Sequence, residues 1–489
     1  MINTNRLPFV IIFLMIFVLF FTGCTDDNDE PVDGEIEKEE DDDDDESEDN
    51  GKIKQVENII TAINEQPGTL DEPAVLVLEI DLGNMSAGSN WHKILNAVYT
   101  AGKYVELDLS SCAMLYPYFY PDSSIQNGKD KILKIILPGA ALSIYGTEES
   151  DYAFRYFSEL KYASGANIKE IGSLAFYGCA KLIEADFPLV EIINQSVFYN
   201  CINLETIDFP VVSVLGDYSF YGCKNIKSVT LPKLKIIHIG TFYNCTGLVT
   251  ADIPNASHID RLAFNNCSSL IKANYPLVET LGNDAFRNCA SLIEVEFPLV
   301  VTVNPRTFMD CENLVTVSFS LAEKIGDEAF RNCINLKTAA FLGNPEKKTF
   351  PPNHPLDPWR QGKGLFTEDC FVIYDYAFYG CKSLEVLDIR NAWNIYFAGG
   401  CLADIGTHLD MYLFDDDGTI SYGHPPIDFF MGGGNDKGPL TLISMKIYIP
   451  KSGSMVQYHH PFPLEGGYHG IAVWVNGILG VTVNVEKLP

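Results

Sequence analysis

The sequence predicts a repeat solenoid of mainly β or α/β class, with a helix-and-strand cap at its N-terminal end and a β-rich segment at its C-terminal end. Three observations predict it. Eight cysteines, Cys179, Cys201, Cys223, Cys245, Cys267, Cys289, Cys311 and Cys333, recur every 22 residues, and Cys381 resumes the pattern after an insertion. Phenylalanine stands three residues before each, from Phe176 to Phe330 and at Phe378, and leucine or isoleucine three after, from Leu182 to Leu336 and at Leu384. The residue just before each cysteine is Gly, Asn or Asp, from Gly178 to Asn332 and at Gly380. A unit of this length cannot bury its own apolar face, so the units must stack around one shared core.

Each column justifies one element of the coil. Six and eight residues after the cysteine stand apolar pairs such as Ile207 with Phe209 and Val295 with Phe297. Alternate residues of a strand share a face, so this is a short strand with both side chains inward. Pro188, Pro210, Pro232, Pro254, Pro276 and Pro298 follow and end it, because proline has no N–H for the ladder. The Gly, Asn and Asp before the cysteine tolerate positive φ. A second column, Gly172, Asn194, Gly216, His238, Asp260, Gly282, Asn304 and Gly326, holds similar types, so two left-handed corners per coil are expected. Lying between Phe and Leu columns, the ladder thiols are expected inside as unpaired small hydrophobes that also satisfy loop amides. An evenly spaced row does not gather four ligands at one point, so no metal is expected there.

The unit "IGSLAFYGCAKLIEADFPLV" resembles the BspA-type leucine-rich repeat, the cysteine-bearing class found in surface proteins of Gram-negative anaerobes, spirochaetes and some protists. The resemblance is close from about residue 154 to 341 and again from 371 to 390, and "AGKYVELDLSSC" (residues 101–112) resembles the start of such domains. It implies a right-handed, curved leucine-rich-repeat solenoid with a role in adhesion or host-protein binding, and it carries no catalytic residues. The chain departs from the pattern at Ser320, which replaces the proline, at Phe157, which replaces the cysteine of a degenerate first repeat, and at the insertion after Phe341.

At 489 residues and 47% hydrophobic content the chain can bury a large core. Residues 7–21 form an apolar run behind Arg6, too short for a comfortable membrane span and suited to a secretory h-region. The "FTGC" at its end resembles the lipobox of lipoprotein signal peptidase, leaving Cys24 as an acylated N-terminus; an uncleaved anchor helix is the competing reading. Either holds the protein at a membrane. Residues 25–50 carry 17 acids against Lys38 alone, about half of the net charge of −31. Such a segment cannot offset the entropy of folding and serves as a disordered tether. Acids directly after Cys24, in "CTDDNDE", resemble the signal that exports lipoproteins of gut and oral anaerobes to the outer face of the outer membrane.

The expected organisation is a signal peptide over 1–23, the tether over 24–50, an N-terminal cap over 51–128, the solenoid over 129–390 with its insertion at about 342–369, and degenerate repeats with a C-terminal cap over 391–489. Within the cap a short helix is expected over 52–64 and a strand over 74–82. A second helix starts at Ser89 or Asn90, aligns Trp91, Ile94, Leu95 and Val98 on one face and stops at Gly102. Near the C-terminus a strand is expected over 442–450, followed by alternating apolar stretches around a turn at Asn476 and Gly477.

Three surfaces are candidates for function. Outward strand positions five and seven after the cysteine form paired rows, including Glu184 with Asp186, Thr250 with Asp252 and Glu294 with Glu296, a polar and weakly acidic face that is either merely solvated or binds protein. Tyr177, Tyr199, Tyr221 and Tyr243 form a column that either shields a corner or offers an aromatic stripe to sugar or protein. The insertion combines proline with Trp359, Arg360 and Phe366, hot-spot types that form either a structural flap or a binding edge. Cys370 stands within reach of Cys401, and sequence leaves that pairing open.

Net acidity without a basic patch excludes nucleic acid. No phosphate loop, nucleophile elbow or His-Glu-x-x-His is present, His459 and His460 lack a third ligand, and "DDDGT" (residues 415–419) reads as a turn. No cofactor or enzymatic activity is expected. The expected function is that of a surface-exposed lipoprotein binding host or neighbouring-cell proteins, with a glycan-binding accessory protein as the alternative. Cys24→Ala should abolish membrane retention, since cleavage and acylation both require that thiol; a variant that still fractionates with membranes would favour the anchor helix.

Overall fold

The computed structural model describes residues 51–145, 152–343 and 371–389, with shorter stretches at 396–397, 401–402, 404–405, 408–412, 444–449 and 482–487. Cys24, the tether, the insertion residues Trp359, Arg360 and Phe366, and the sequences around Asp415 and His459 lie outside the described residues. Helix α1, Ile59–Asn64, follows a 3-10 turn at Val56–Asn58. Helix α2, Asn90–Ala101, begins as its sequence demands. The Ser89 hydroxyl accepts the His92 amide at 3.3 Å, satisfying a donor that has no partner inside the helix. Gly102 closes it at φ 66°, and Trp91, Ile94, Leu95 and Val98 are all buried.

Beyond the helices the architecture is coils joined by parallel ladders. The first sheet runs Ala74–Val77, Val105–Asp108, Ile132–Ile136, Tyr162–Ser164 and Glu184–Asp186 in spatial order. The parallel ladder therefore begins at Ala74, inside the segment expected to form the cap. Later coils contribute strands in the same column, such as Ser228–Thr230 and Glu294–Glu296, in which the central residue is buried and its neighbours are exposed. These strands end two residues before the proline; where Ser320 replaces it, the strand runs one residue further, through Thr316–Phe319. The late strand is Ser444–Ile449, parallel to His408–Tyr412 on one side and Thr482–Lys487 on the other. A second, narrower ladder was not foreseen from the columns. It is built of two-residue strands such as Ile192–Ile193, Ile236–Ile237 and Thr302–Val303, each with its second residue buried.

One expected corner is correct and the other is displaced. All nine residues before the cysteines have positive φ, from Gly178 at 72° to Asn332 at 60° and Gly380 at 77°. The second left-handed position is two residues later than the expected column. It falls at Leu174, Ser196, Tyr218, Gly240, Leu262, Asp284, Arg306, Glu328 and Tyr376, whose φ values lie between 54° and 62°. Glycine serves the expected column for a different reason: a Cβ on Gly216 or Gly282 would meet the backbone nitrogen of Gln195 or Arg261 at 2.4 or 2.2 Å. Those glycines let adjacent coils close to 2.7 Å in the bonds from Gly216 N–H to Ile193 O and from Gly282 N–H to Ile259 O.

The core is a spine of phenylalanines. From Phe176 through Phe330 to Phe378, successive rings stack with centroids 5.1–5.7 Å apart and planes within 16°. Beside it runs the cysteine ladder, every member buried and free, as is Cys401. The thiols donate to carbonyls, and from Cys201 to Cys333 each also has the backbone amide of the previous coil's cysteine beside it, as expected. Cys201 Sγ lies 3.1 Å from Phe176 O, Cys223 Sγ 3.0 Å from Phe198 O, and Cys245 Sγ 3.1 Å from Phe220 O, and the pattern holds through Cys381 Sγ to Phe330 O at 3.1 Å. Each such carbonyl also accepts an amide in its own coil, as Phe198 O does from Cys201 N–H at 3.1 Å. Both lone pairs are thus occupied inside an apolar core.

Burial pushes the ladder thiols up, Cys179 and Cys245 to about 12, because a thiolate there would lose its hydration. Iodoacetamide at mildly alkaline pH should therefore spare them in the native chain and label them on denaturation. The folded thiols hold their protons above the unfolded value near 9, so their contribution is full below pH 9 and is lost as pH rises toward 12. A denaturation midpoint that holds steady across that range would contradict the buried ladder. Cys245→Ser, which places a more polar and shorter group there, should cost roughly 1–3 kcal/mol, read from the shift in that midpoint.

Candidate binding surfaces

The strand rows expected to face outward do so. From Glu184 to Ser318 they carry six carboxylates, Glu184, Asp186, Asp208, Asp252, Glu294 and Glu296, against one cation, Lys272. Lys272 Nζ lies 2.6 Å from Glu294 and neutralises it. Among the described residues the other five carboxylates form no ion pair. Backbone pairing in strict register holds the rows rigid, as between Lys272 and Glu294 or Glu294 and Thr316.

Strand pairing on this face is interrupted at two places, at Thr206 and Asp208, which make only isolated bridges to Glu184 and Thr230, and again between the coils of Asp252 and Lys272. Thr250–Asp252 and Lys272–Asn274 belong to different sheets although they are consecutive in the stack. Tyr275 lies at the second interruption. It occupies the inward column filled elsewhere by phenylalanine, Leu231 and Ile253, is buried to 2% exposure, and must find a partner for its hydroxyl. It donates to Ala251 O at 3.2 Å. The 22-residue offset seen between Ile271 N–H and Val249 O would have offered that same carbonyl to Ala273. At the break a cavity of about 300 Å³ opens on the strand face, lined by Asp252, Asn274 and Glu296 and by the rings of Pro254, Pro276 and Pro298.

The tyrosine column is a continuous stack. Centroids of Tyr177 and Tyr199 lie 4.7 Å apart, Tyr199 and Tyr221 4.2 Å, Tyr221 and Tyr243 4.9 Å, with planes within 13°. The inner rings lie against one another on both faces, and Tyr152 covers the outer side of Tyr177 at 5.0 Å. Burial, with the Tyr221 hydroxyl alongside, pushes the Tyr199 phenol up to about 12. Farther along the same corner, charge replaces aromatics. Arg306 Nε and Nη2 each approach the Asp284 carboxylate at 2.9 Å, Arg287 bridges Asp284 and Asp310, and Arg331 pairs with Glu328 and lies over the Tyr379 ring.

Sequence reasoning missed Tyr275 and the cavity at its level, although a lone hydroxylated ring in an apolar column was visible. It also missed an N-terminal cluster in which Tyr116 stacks on Tyr118 at 5.3 Å, with Tyr120 and Tyr145 beside them; the alternation of tyrosines in residues 116–120 was its only signal. Among the described residues no three His, Cys, Asp or Glu side chains converge as metal ligands, and no helix is long and apolar enough to cross a membrane.

The BspA type leucine rich repeat region matches residues 147–271 and 235–349. Among solved structures, a leucine rich cell surface protein from Faecalibacterium prausnitzii is 19% identical over 56% of this chain and 77% of its own, with a TM-score of 0.35. The leucine rich repeat protein of T. pallidum is 23% identical over 39% of this chain and 78% of its own, with a TM-score of 0.30. A leucine-rich repeat protein from Bacteroides ovatus is 18% identical over 56% and 82%, with a TM-score of 0.25. No curated protein matches the chain.

Proposed function

We propose that this chain, whose residues 147–349 are a BspA-type leucine-rich repeat region, is a non-enzymatic, lipid-anchored protein of the cell surface that binds host or neighbouring-cell proteins. Cys24 is the acylated residue, the acidic segment behind it is the tether that carries the solenoid clear of the outer membrane, and the strand face is the contact surface. One observation carries the reading: five unpaired carboxylates and a row of hydroxyls stand on a backbone lattice that spans successive coils. Such a surface is already ordered, so little conformational entropy is lost when a partner covers it. Its extent suits a protein interface more than a small molecule.

The glycan reading gains nothing from Tyr177, Tyr199 and Tyr221, since sugar stacking needs a free ring face and these rings are covered on both sides. Trp359, Arg360 and Phe366 remain the proposed flanking contact from the insertion. Replacing exposed Thr206, Ser228, Thr250 and Thr316 together with arginine should leave the far-ultraviolet circular dichroism of the chain intact. Its capture by immobilised extracellular-matrix and bacterial surface proteins should fall at least tenfold, about 1.4 kcal/mol. Undiminished capture by the folded variant would move the contact off this face.

A further inference from the structure

The geometry points to the cavity between Asp252 and Glu296 as a socket for a single lysine or arginine side chain of a protein partner. This deepens, and rests on, the reading of the strand face as the contact surface. Three features meet there. Strand pairing between the coils of Asp252 and Lys272 is absent at this level, and Tyr275, which departs from its column, directs its hydroxyl to the Ala251 carbonyl that the 22-residue offset would offer to Ala273. Two of the five unpaired carboxylates, Asp252 and Glu296, line it on either side of Asn274, whereas the nearby cation Lys272 is already spent on Glu294. The remaining wall is proline, Pro254, Pro276 and Pro298, with Leu277 and Leu299 exposed just beyond at 47% and 37%.

An alkyl stem along an apolar wall with a cationic head between carboxylates is the arrangement lysine and arginine side chains adopt at partly buried sites. A small anion would meet repulsion there. A purely apolar side chain would cover the prolines but leave two carboxylates partly desolvated without a counter-charge. A cavity of about 300 Å³ is at the small end for ligand pockets and suits one side chain, with the leucines free to contact the flanking backbone. The partner is therefore a protein segment that presents a basic residue between apolar neighbours.

The test uses the full chain and three blocked peptides with a central lysine, arginine or norleucine flanked by leucines, with affinity read by fluorescence anisotropy. Lysine and arginine peptides should bind and the norleucine peptide should not. Carbodiimide cross-linking of the lysine peptide should mark Asp252 or Glu296 and not the acidic tether. Asp252→Asn with Glu296→Gln should weaken binding at least tenfold, while Asp186→Asn with Asp208→Asn, an equal loss of charge on the same face, should change it less than twofold. Tyr275→Phe, which restores the residue type of Phe297 and Phe319 and leaves the carboxylates in place, should also weaken binding by closing the ladder. Unchanged affinity in the Asp252 and Glu296 variant or in Tyr275→Phe, or equal loss in the control pair, overturns the socket. A surface protein captured equally by the native chain and by the Asp252 and Glu296 variant would leave the strand-face reading standing and this one refuted.

Discussion

One carbonyl per coil holds the stack together. The phenylalanine oxygen accepts the amide of its own cysteine, which closes the corner, and the thiol of the next coil's cysteine, which fixes the distance between coils. Cysteine suits that position because it packs as a small hydrophobe yet carries a donor. Alanine would leave the carbonyl short of a partner, and serine would bring a more heavily hydrated group into the core. The bond also explains the strict period, since the donor must arrive 25 residues after the acceptor each time. Across the insertion the separation grows to 51 residues, and Cys381 still reaches Phe330 O at 3.1 Å. The extra length enters after Phe341 and before Val372, outside the arc from phenylalanine to strand, so neither the spine nor the ladder has to shift.

What was legible in the sequence follows from the same bond. Phe, Cys, Leu and the residue before Cys each meet a demand that only a few side chains satisfy, and that demand recurs in every coil. The second left-handed corner was not legible because it rests on no side-chain tolerance. Leu174, Tyr218, Leu262 and Arg306 occupy it, and for such residues this conformation costs about 1–2 kcal/mol. Their amides donate to carbonyls of the next coil at 2.8–3.1 Å, so the stack holds them there. The glycines two residues earlier mark close approach of backbones, a different requirement met by the same residue type. The narrow second ladder was hidden for a related reason: two residues are too few to show an alternation.

The contact surface depends on the stack for its rigidity and on exceptions for its character. Repetition yields a face of hydroxyls and carboxylates with one spacing throughout, which is generic. Tyr275 places a hydroxyl where its column supplies apolar side chains, at the level where strand pairing is interrupted and an acidic cavity opens on the opposite side of the strand. A local departure from an otherwise consistent pattern is where function is expected to enter a repeat protein. The tyrosine stack illustrates the converse, because the repeat that aligns Tyr177 to Tyr243 turns the faces of the inner rings toward one another.

The thiol stretching band in the infrared tests this account most directly, because it lies clear of other protein absorptions and shifts when the S–H donates. The account predicts that the native chain shows a thiol band displaced to lower frequency, and that the displacement disappears on unfolding. A native band at the position of unbonded thiol, or no thiol band because the ladder has been oxidised to disulfides, would contradict it.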